Sequence, residues 1–269
     1  MPNWVVNRIT VEGPFAKETV RSHLSRMENG EEEFDFNTIE RMPERLNIEK
    51  SSRSLDGFRL YIAKINPLID SFGSPEDKVR PFSSFVTKLE NAFRHMNYDR
   101  IGNYVLRPEE VTELKKKYKE KLGDTLELGK KAFHNMEDYG VPDWYEWSVD
   151  HWGTKWNSCN TMVSDDGKTV YFDTAWSPSI NAVRKFAEMH PELKVTHEYA
   201  EEQMGFYSGK LEYENGKMVE ETEFEPYSKE AYEMSFDLWG GEDEYRWDDK
   251  EGTYEYVGDE PERGQAEME

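Results

Sequence analysis

The chain has 269 residues, of which 36% are hydrophobic and 14% aromatic, and it carries a net charge of −22 at pH 7. Its length suffices for one large domain or two ordinary ones. A single cysteine excludes an internal disulfide, a four-cysteine iron–sulfur cluster and a cysteine-rich zinc site.

The first forty residues predict a strand, a helix and a second strand. Residues 4–11 alternate and are rich in β-branched side chains, and Gly13-Pro14 ends this strand. Residues 15–27 carry apolar side chains near helical spacing. Residues 34–39 then predict a short strand after an acidic turn.

Residues 43–140 differ in character, because their charges balance and helix signals dominate. Ser74 to Asp77 is typical of a helix start, with Pro81 as a kink or as a later start. Pro108 to Glu110 opens another helix with an apolar stripe on one side. Residues 126–136 predict a further helix. We interpret 43–140 as a helical insertion between two strands of a sheet.

The stretch 143–178 holds five of the eight tryptophans. Each large aromatic buries roughly 150–250 Å² when it packs, so this stretch can anchor the core. It predicts a short amphipathic helix, a turn at Gly153, and two strands at 156–163 and 169–176.

The remainder of the chain predicts a helix and three strands before its pattern is lost. These are helix 178–189 and strands 193–199, 205–213 and 218–224. Asn215-Gly216 is a strong hairpin signal between the last two strands. From residue 227 the aromatic, glycine and acidic residues show no clear period, so we expect irregular packing to about Trp247 and disorder beyond it.

The predicted element order defines a fold class. Two strand-helix-strand units that share one sheet indicate an α+β fold with a ferredoxin-like (split βαβ), mostly antiparallel sheet. We predict a sheet domain from 1–42 plus 141–226, a helical insertion at 43–140, and an extended acidic C-terminal segment at 227–269.

The acidic excess is concentrated in the second half of the chain. Residues 43–140 hold 18 basic and 16 acidic groups, whereas 141–226 hold 7 and 17, and 227–269 hold 4 and 15. Such a surface repels a phosphate backbone and attracts a basic protein, although a solubilising surface explains the same charge. The acidic side chains assigned to a partner-binding face are Glu220, Glu221, Glu223, Glu225, Glu242, Asp243, Glu244, Asp248 and Asp249.

Four sequence boxes carry a family resemblance. They are Met1-Pro2-Asn3-Trp4 with Asn7, the WGTKWN box at 152–157, the FDTAWSP box at 172–178, and Met204-Gly205-Phe206. Together they resemble the YubB-type ferredoxin-like family of uncharacterised bacteriophage, prophage and plasmid proteins. The resemblance covers about 1–42 and 141–225, and it implies a split sheet fold and residence on a mobile genetic element. It implies no reaction.

Few residues point to catalysis or metal binding. His151 and Cys159 are the nearest to a nucleophile pair, with Asp150 and Asp173 as orienting groups, but we favour an inert buried thiol. The sequence has no HExxH, EF-hand, P-loop or dinucleotide-binding pattern. We therefore predict no metal, no cofactor and no catalytic residue.

The WGTKWN box allows a pocket. Lys155 lies between two tryptophans and, with Asp173 and Trp176 close to it in the sheet, would line a pocket that holds an anion. A purely structural role of the box is the interpretation that we favour. The candidate pocket residues are His151, Trp152, Lys155, Trp156, Asp173 and Trp176.

Three functions follow as hypotheses. We favour a non-catalytic acidic interaction protein that binds a basic surface on a host defence or restriction protein, because carboxylates compete for arginines and lysines that otherwise hold phosphate. One alternative is an enzyme of unknown reaction with its pocket near the WGTKWN box. The other is a single-stranded nucleic-acid-binding module that stacks bases on Trp4, Tyr171, Tyr207 and Tyr213, which the acidic charge disfavours.

The sequence also predicts a location. It contains no run of eighteen apolar residues, and its first residues lack a basic start followed by an apolar core. We therefore expect no membrane span and no secretory signal, and we place the protein in the bacterial cytoplasm.

Overall fold

The computed structural model describes residues 2–27, 30–68, 82–93 and 104–258. The chain divides into two compact units. The sheet unit is Met1–Arg41 with Val149–Glu269, and the helical unit is Met42–Ser148. The sequence placed these boundaries after residues 42 and 140.

The elements follow one another along the chain as two strand-rich segments around a run of helices. The first segment and the helical unit contain β1 (Trp4–Glu12), α1 (Ala16–Ser22), β2 (Leu24–Arg26), β3 (Glu32–Phe34), α2 (Ser52–Ile65), α3 (Phe82–Ala92), α4 (Pro108–Lys117) and α5 (Leu122–Tyr139). Helix α6 (Trp144–Trp152) leads into β4 (Cys159–Val163), β5 (Thr169–Ala175), α7 (Ile180–Met189), β6 (Lys194–Glu201), β7 (Ser208–Glu214) and β8 (Lys217–Glu223). The chain continues through α8 (Lys229–Trp239), β9 (Tyr245–Asp248) and β10 (Thr253–Tyr256).

The main sheet has six strands in the order β4-β5-β1-β6-β7-β8, and every described pair is antiparallel. Four of the six strands, together with α1 and α7, form the split βαβ arrangement. Strands β1 and β5 lie at its centre, and β4 and β6 flank them. Strands β7 and β8 extend the sheet. The predicted α+β, ferredoxin-like, mostly antiparallel fold is confirmed.

Alternation along β1 shows how the sheet is packed. Val5, Asn7, Ile9 and Val11 are fully buried, whereas the residues between them are half-buried. The buried face receives aromatic side chains from outside the sheet: Phe34 stacks on Phe172 of β5 with ring centroids 5.3 Å apart. Such ring pairs stabilise the fold beyond the free energy that is gained by burying the two rings.

The prediction of a sheet strand at 34–39 was wrong. Strand β3 ends at Phe34 and pairs with β2 in a separate two-stranded sheet. A 3₁₀ turn at Phe36–Thr38 follows, with the Asp35 carboxylate accepting from the Asn37 backbone N–H at 3.0 Å. An aspartate that bonds its own backbone two residues on favours a turn over a strand.

The expectation of irregular packing from residue 227 was also wrong. Helix α8 is capped by Ser228, whose side chain accepts from the Ala231 N–H, and β9 and β10 form a hairpin. Tyr232 and Phe236 of α8 pack on Tyr245 and Tyr254, with ring centroids 5.1–5.8 Å apart. The aromatic residues are thus a small core of their own. Residues 259–269 lie outside the described residues.

The helical unit is organised around a crossing of α2 and α5 at two glycines. A β-carbon on Gly57 would lie 2.3 Å from the Thr125 carbonyl oxygen, and one on Gly129 would lie 1.9 Å from the Gly57 carbonyl oxygen. This contact lets Phe58 and Phe133 pack with ring centroids 6.2 Å apart.

The helix predictions for this unit had mixed outcomes. Pro108 begins α4 as predicted, and α5 extends the predicted 126–136 segment at both ends. Helix α2 was not predicted. The predicted helix start at Ser74 to Asp77 lies outside the described residues.

Candidate functional site

The sequence boxes converge at one end of the main sheet. The Thr154 hydroxyl donates to the Ala175 carbonyl oxygen at 2.9 Å, and the Ser177 hydroxyl donates to the Gly153 carbonyl oxygen at 2.7 Å. The Trp176 backbone N–H donates to the Asn3 carbonyl oxygen at 2.8 Å. The WGTKWN and FDTAWSP boxes therefore interlock where β1 begins and β5 ends.

These bonds also correct the predicted start of α7. The helix was expected to begin at residue 178. The Ser177 hydroxyl instead holds the Gly153 loop, and the helix begins at Ile180.

A buried polar network is centred on Asn7 of β1. The Asn7 amide donates to the Thr174 hydroxyl at 2.9 Å, and its oxygen lies 2.9 Å from His197 Nε2 and 3.3 Å from the Ser179 backbone N. All four residues are fully buried. Burial lowers the pKa of His197 to about 3, so the ring is neutral and donates through Nε2 to Asn7. The network joins β1, β5, β6 and the start of α7.

At the end of the sheet where β1 begins, five aromatic residues form what we call the aromatic rim: Trp4, Trp156, Trp176, Phe206 and Tyr227. Four of them are exposed, by 40% at Trp156, 53% at Trp176, and 41% at both Phe206 and Tyr227. The rings of Trp4 and Trp156 have centroids 6.5 Å apart, and those of Phe206 and Tyr227 are 5.9 Å apart. Trp4 begins β1, Trp176 follows β5 and Trp156 precedes β4, while Phe206 precedes β7 and Tyr227 follows β8. Because neighbouring strands are antiparallel, all five lie at the same end of the sheet.

Two rim residues have left-handed backbone conformations. Trp176 has a φ of 74° and Tyr227 a φ of 63°. Bulky side chains seldom occupy this region, and each instance costs on the order of 1–3 kcal/mol. The strain persists because backbone bonds fix both residues: Trp176 N–H to Asn3, and Tyr227 N–H to the Gly205 carbonyl oxygen at 2.6 Å.

The predicted pocket residues are divided between different places. His151 lines a polar cavity of about 400 Å³. Its Nδ1 lies 3.0 Å from a carboxylate oxygen of Glu40, and the Lys185 ammonium lies 3.8 Å from the same oxygen. The described residues that line this cavity are Glu40, Asp150, His151, Asn181, Arg184, Lys185 and Glu188.

The other predicted pocket residues are not among those lining residues. Trp152 is buried and donates from Nε1 to the Glu40 carbonyl oxygen at 3.0 Å. Lys155 and Trp156 lie at the rim, with the Lys155 ammonium 4.4 Å from the Trp156 ring centroid. Asp173 projects from β5 and accepts from the Asn160 amide at 2.8 Å.

Cys159 is half-buried on β4, with its sulfur 3.7 Å from the Asp173 carbonyl oxygen. Burial, with the carboxylates of Asp173 and Glu33 nearby, raises the pKa of the thiol to about 11. The thiolate is the reactive form, so this environment makes the side chain a poor nucleophile.

Alkylation of Cys159 should be slow in the native protein, because the pKa of its thiol is raised. At pH 8 the native protein should react with iodoacetamide about 100-fold more slowly than the urea-unfolded chain, since each unit of pKa changes the thiolate fraction tenfold. Mass spectrometry of quenched samples measures both rates. Equal rates would show that Cys159 is not held in this environment.

The tyrosines proposed for base stacking have different exposures. Tyr213 is fully buried on the packed face of the sheet, which corrects its proposed role. Trp4, Tyr171 and Tyr207 are half-buried. The sheet therefore offers less aromatic surface to bases than the sequence suggested.

The predicted acidic residues lie on the outer strand of the sheet and in the segment before and within the C-terminal hairpin. Strand β8 is the last in the sheet, and its Glu220, Glu221 and Glu223 are exposed. Glu225, the Glu242–Glu244 turn and Asp249 are exposed as well, whereas Asp248 is half-buried and accepts from the Lys250 N–H at 2.7 Å.

The division into units sharpens the charge pattern. The helical unit holds 18 basic and 18 acidic residues, and the sheet unit holds 16 basic and 38 acidic residues. The whole net charge of −22 therefore belongs to the sheet unit.

Neither a metal-binding cluster nor a membrane-spanning helix occurs among the described residues. No group of three or more histidine, cysteine, aspartate or glutamate side chains there is placed to hold a metal ion. In the same residues, no helix has the length and apolar character needed to cross a membrane.

The fold and its connections define an α+β protein with a ferredoxin-like sheet domain. Residues 151–256 match a family model described as the ferredoxin-like domain in Api92-like protein. A solved structure, protein api92 from Yersinia pseudotuberculosis, is similar over 84% of this chain and 99% of that chain, with 14% sequence identity and a TM-score of 0.39. The search of curated proteins gave no match.

Proposed function

We propose that the protein is a non-catalytic interaction protein of a bacteriophage or other mobile genetic element. It acts in the cytoplasm of the bacterial host, where its acidic surface binds a basic surface of a host defence or restriction protein and inhibits it. One observation carries the proposal: the sheet unit holds all of the net charge of −22, while the helical unit is neutral. The sequence resemblance to phage and plasmid proteins supports the setting.

The outer strand is the clearest part of this surface. Among the described residues, none forms an ion pair with Glu220, Glu221 or Glu223. Glu220 lies directly opposite Glu212 of β7, so two carboxylates are paired across the strands. The ammonium groups of Lys194 and Lys210 lie 3.0 and 2.7 Å from the Glu212 carboxylate, so Glu212 is already paired and Glu220 is the carboxylate left for a partner. Carboxylates of this kind pair well with arginines and lysines that hold phosphate.

A charge-reversal experiment tests the proposal. The tagged protein should recover a stoichiometric host partner from a bacterial lysate at low salt, and raising the salt should release the partner, because exposed charges are screened over about 10 Å at 0.1 M. Replacing Glu220, Glu221 and Glu223 by lysine should reduce recovery at least tenfold.

The matched control makes the same change in net charge on the helical unit, with Glu109, Glu113 and Glu120 replaced by lysine. It should retain the partner. Recovery of chaperones alone, or equal loss of the partner with both triple variants, would contradict the proposal.

A further inference from the structure

We propose that the aromatic rim is where the sheet unit binds arginine side chains of its basic partner. This inference rests on the proposed function and assigns it a contact surface other than β8. Four exposed aromatic rings at one end of the sheet, two of them on strained backbone, are the observation from which it starts. Such rings are hot-spot residues in many protein interfaces.

The rim already holds one cation. The ammonium group of Lys155 lies 4.4 Å from the centroid of the Trp156 ring, within the range of a cation–π contact. Trp156 in turn contacts Trp4. The exposed Trp156 ring therefore already binds a cationic group of the chain itself, the Lys155 ammonium.

Two glutamates, Glu201 and Glu202, are bonded to the segment that carries Trp4. Glu201 accepts a hydrogen bond from the Asn3 side chain, and the Glu202 backbone N–H donates to the Trp4 carbonyl oxygen at 2.9 Å. Glu202 is exposed. The Asn3 carbonyl oxygen also accepts from the Trp176 backbone N–H. Glu201, Glu202 and Trp176 are therefore all hydrogen-bonded to the Asn3-Trp4 segment. A guanidinium can stack on an indole and donate to a carboxylate at its edge, a combination that suits arginine better than lysine.

Charge decides between arginine and nucleic acid as the occupant. Aromatic rings also stack bases, but a single strand would bring its phosphates to the unit that carries a net charge of −22. A basic protein segment brings the opposite charge. We therefore assign the rim to an arginine-bearing segment of a partner protein.

A titration with a nine-residue polyarginine peptide tests the inference. Isothermal titration calorimetry at low salt should show binding to the full chain, with a nine-residue polylysine peptide binding several-fold more weakly. Replacing Trp176 by glycine should weaken polyarginine binding about five- to tenfold, the effect of losing one partly desolvated cation–π contact. Glycine suits the positive φ at this position, so the fold is retained.

Phe15→Gly is the matched control. Phe15 is also aromatic, exposed and at positive φ (57°), but it follows the opposite end of β1. Polyarginine affinity in this variant should stay within twofold of the parent. A Trp176→Gly variant with unchanged affinity, or equal binding of both peptides, would overturn the inference, as would Trp176-dependent binding of a ten-residue oligothymidine.

The outcome separates this inference from the proposed function. If the Glu220, Glu221 and Glu223 triple variant loses the host partner while Trp176→Gly retains it, the acidic surface stands and the rim is excluded. If both variants lose the host partner, both surfaces belong to the interface.

Discussion

Replacing Gly129 by alanine should lower the free energy of unfolding by about 3 kcal/mol or more. The added β-carbon would lie 1.9 Å from the Gly57 carbonyl oxygen and 2.1 Å from its carbonyl carbon. These are backbone atoms of a helix, so they have no rotamer to which they can move. Helices α2 and α5 would have to separate, and the packing of Phe58 on Phe133 would be lost. Urea unfolding followed by circular dichroism measures the change.

Gly123 provides the control in the same helix. A β-carbon there would have no atom within 4 Å, so Gly123→Ala should stabilise the protein by roughly 0.5–1 kcal/mol through helix propensity alone. The two variants make the same chemical change with opposite expected signs. A loss below about 1 kcal/mol for Gly129→Ala would show that the helices do not cross at this contact.

The sheet was predictable from sequence because its signals are local. Alternation in β1, the Asn215-Gly216 turn and the apolar period of α7 each need only a few neighbouring residues. Both residues of that turn have positive φ, 53° and 71°, as a type I′ hairpin requires. Residues 34–39 were misassigned because Phe34 is buried by tertiary packing on Phe172. A buried apolar residue of this kind has the same sequence pattern as a residue on the buried face of a strand.

The C-terminal helix was missed for a different reason. In α8 the buried positions are Ala231, Tyr232, Ser235 and Phe236, which is helical spacing, but three of them are not aliphatic and the segment is acidic. The helix packs on Tyr245 and Tyr254 of the hairpin, and no local sequence signal indicates that these distant rings meet.

The composition of the rim was predictable only in part. The tryptophan boxes were identified from sequence, but Trp152 is buried while Trp156, four residues later, is 40% exposed. Trp176 was expected within a strand, where it would have pointed to one face of the sheet. The strand instead ends at Ala175, and Trp176 follows it with a φ of 74° and a side chain that is 53% exposed. Phe206 belongs to the Met204-Gly205-Phe206 box, but its contact with the distant Tyr227 has no local sequence signal.

Acid should destabilise the fold through two buried histidines. Burial lowers the pKa of His197 to about 3, and burial with His190 beside it lowers the pKa of His23 to about 4. An unfolded histidine binds a proton near pH 6.5. Above that pH both states are neutral and the histidines have no effect on stability. Below it the unfolded chain binds protons that the native state excludes, so each residue lowers the free energy of unfolding by up to about 1.4 kcal/mol per pH unit.

The variant His197→Gln isolates this effect. The amide of glutamine can donate to Asn7 as the ring does, at some cost in stability at pH 7, but it does not titrate. Between pH 7 and pH 5 the variant should therefore lose about 2 kcal/mol less than the parent in urea unfolding. Protonation of the many carboxylates changes both proteins alike, so the difference reports on His197. Identical losses in the parent and in His197→Gln would mean that the native state admits a proton at His197, which a fully buried ring bonded to Asn7 does not allow.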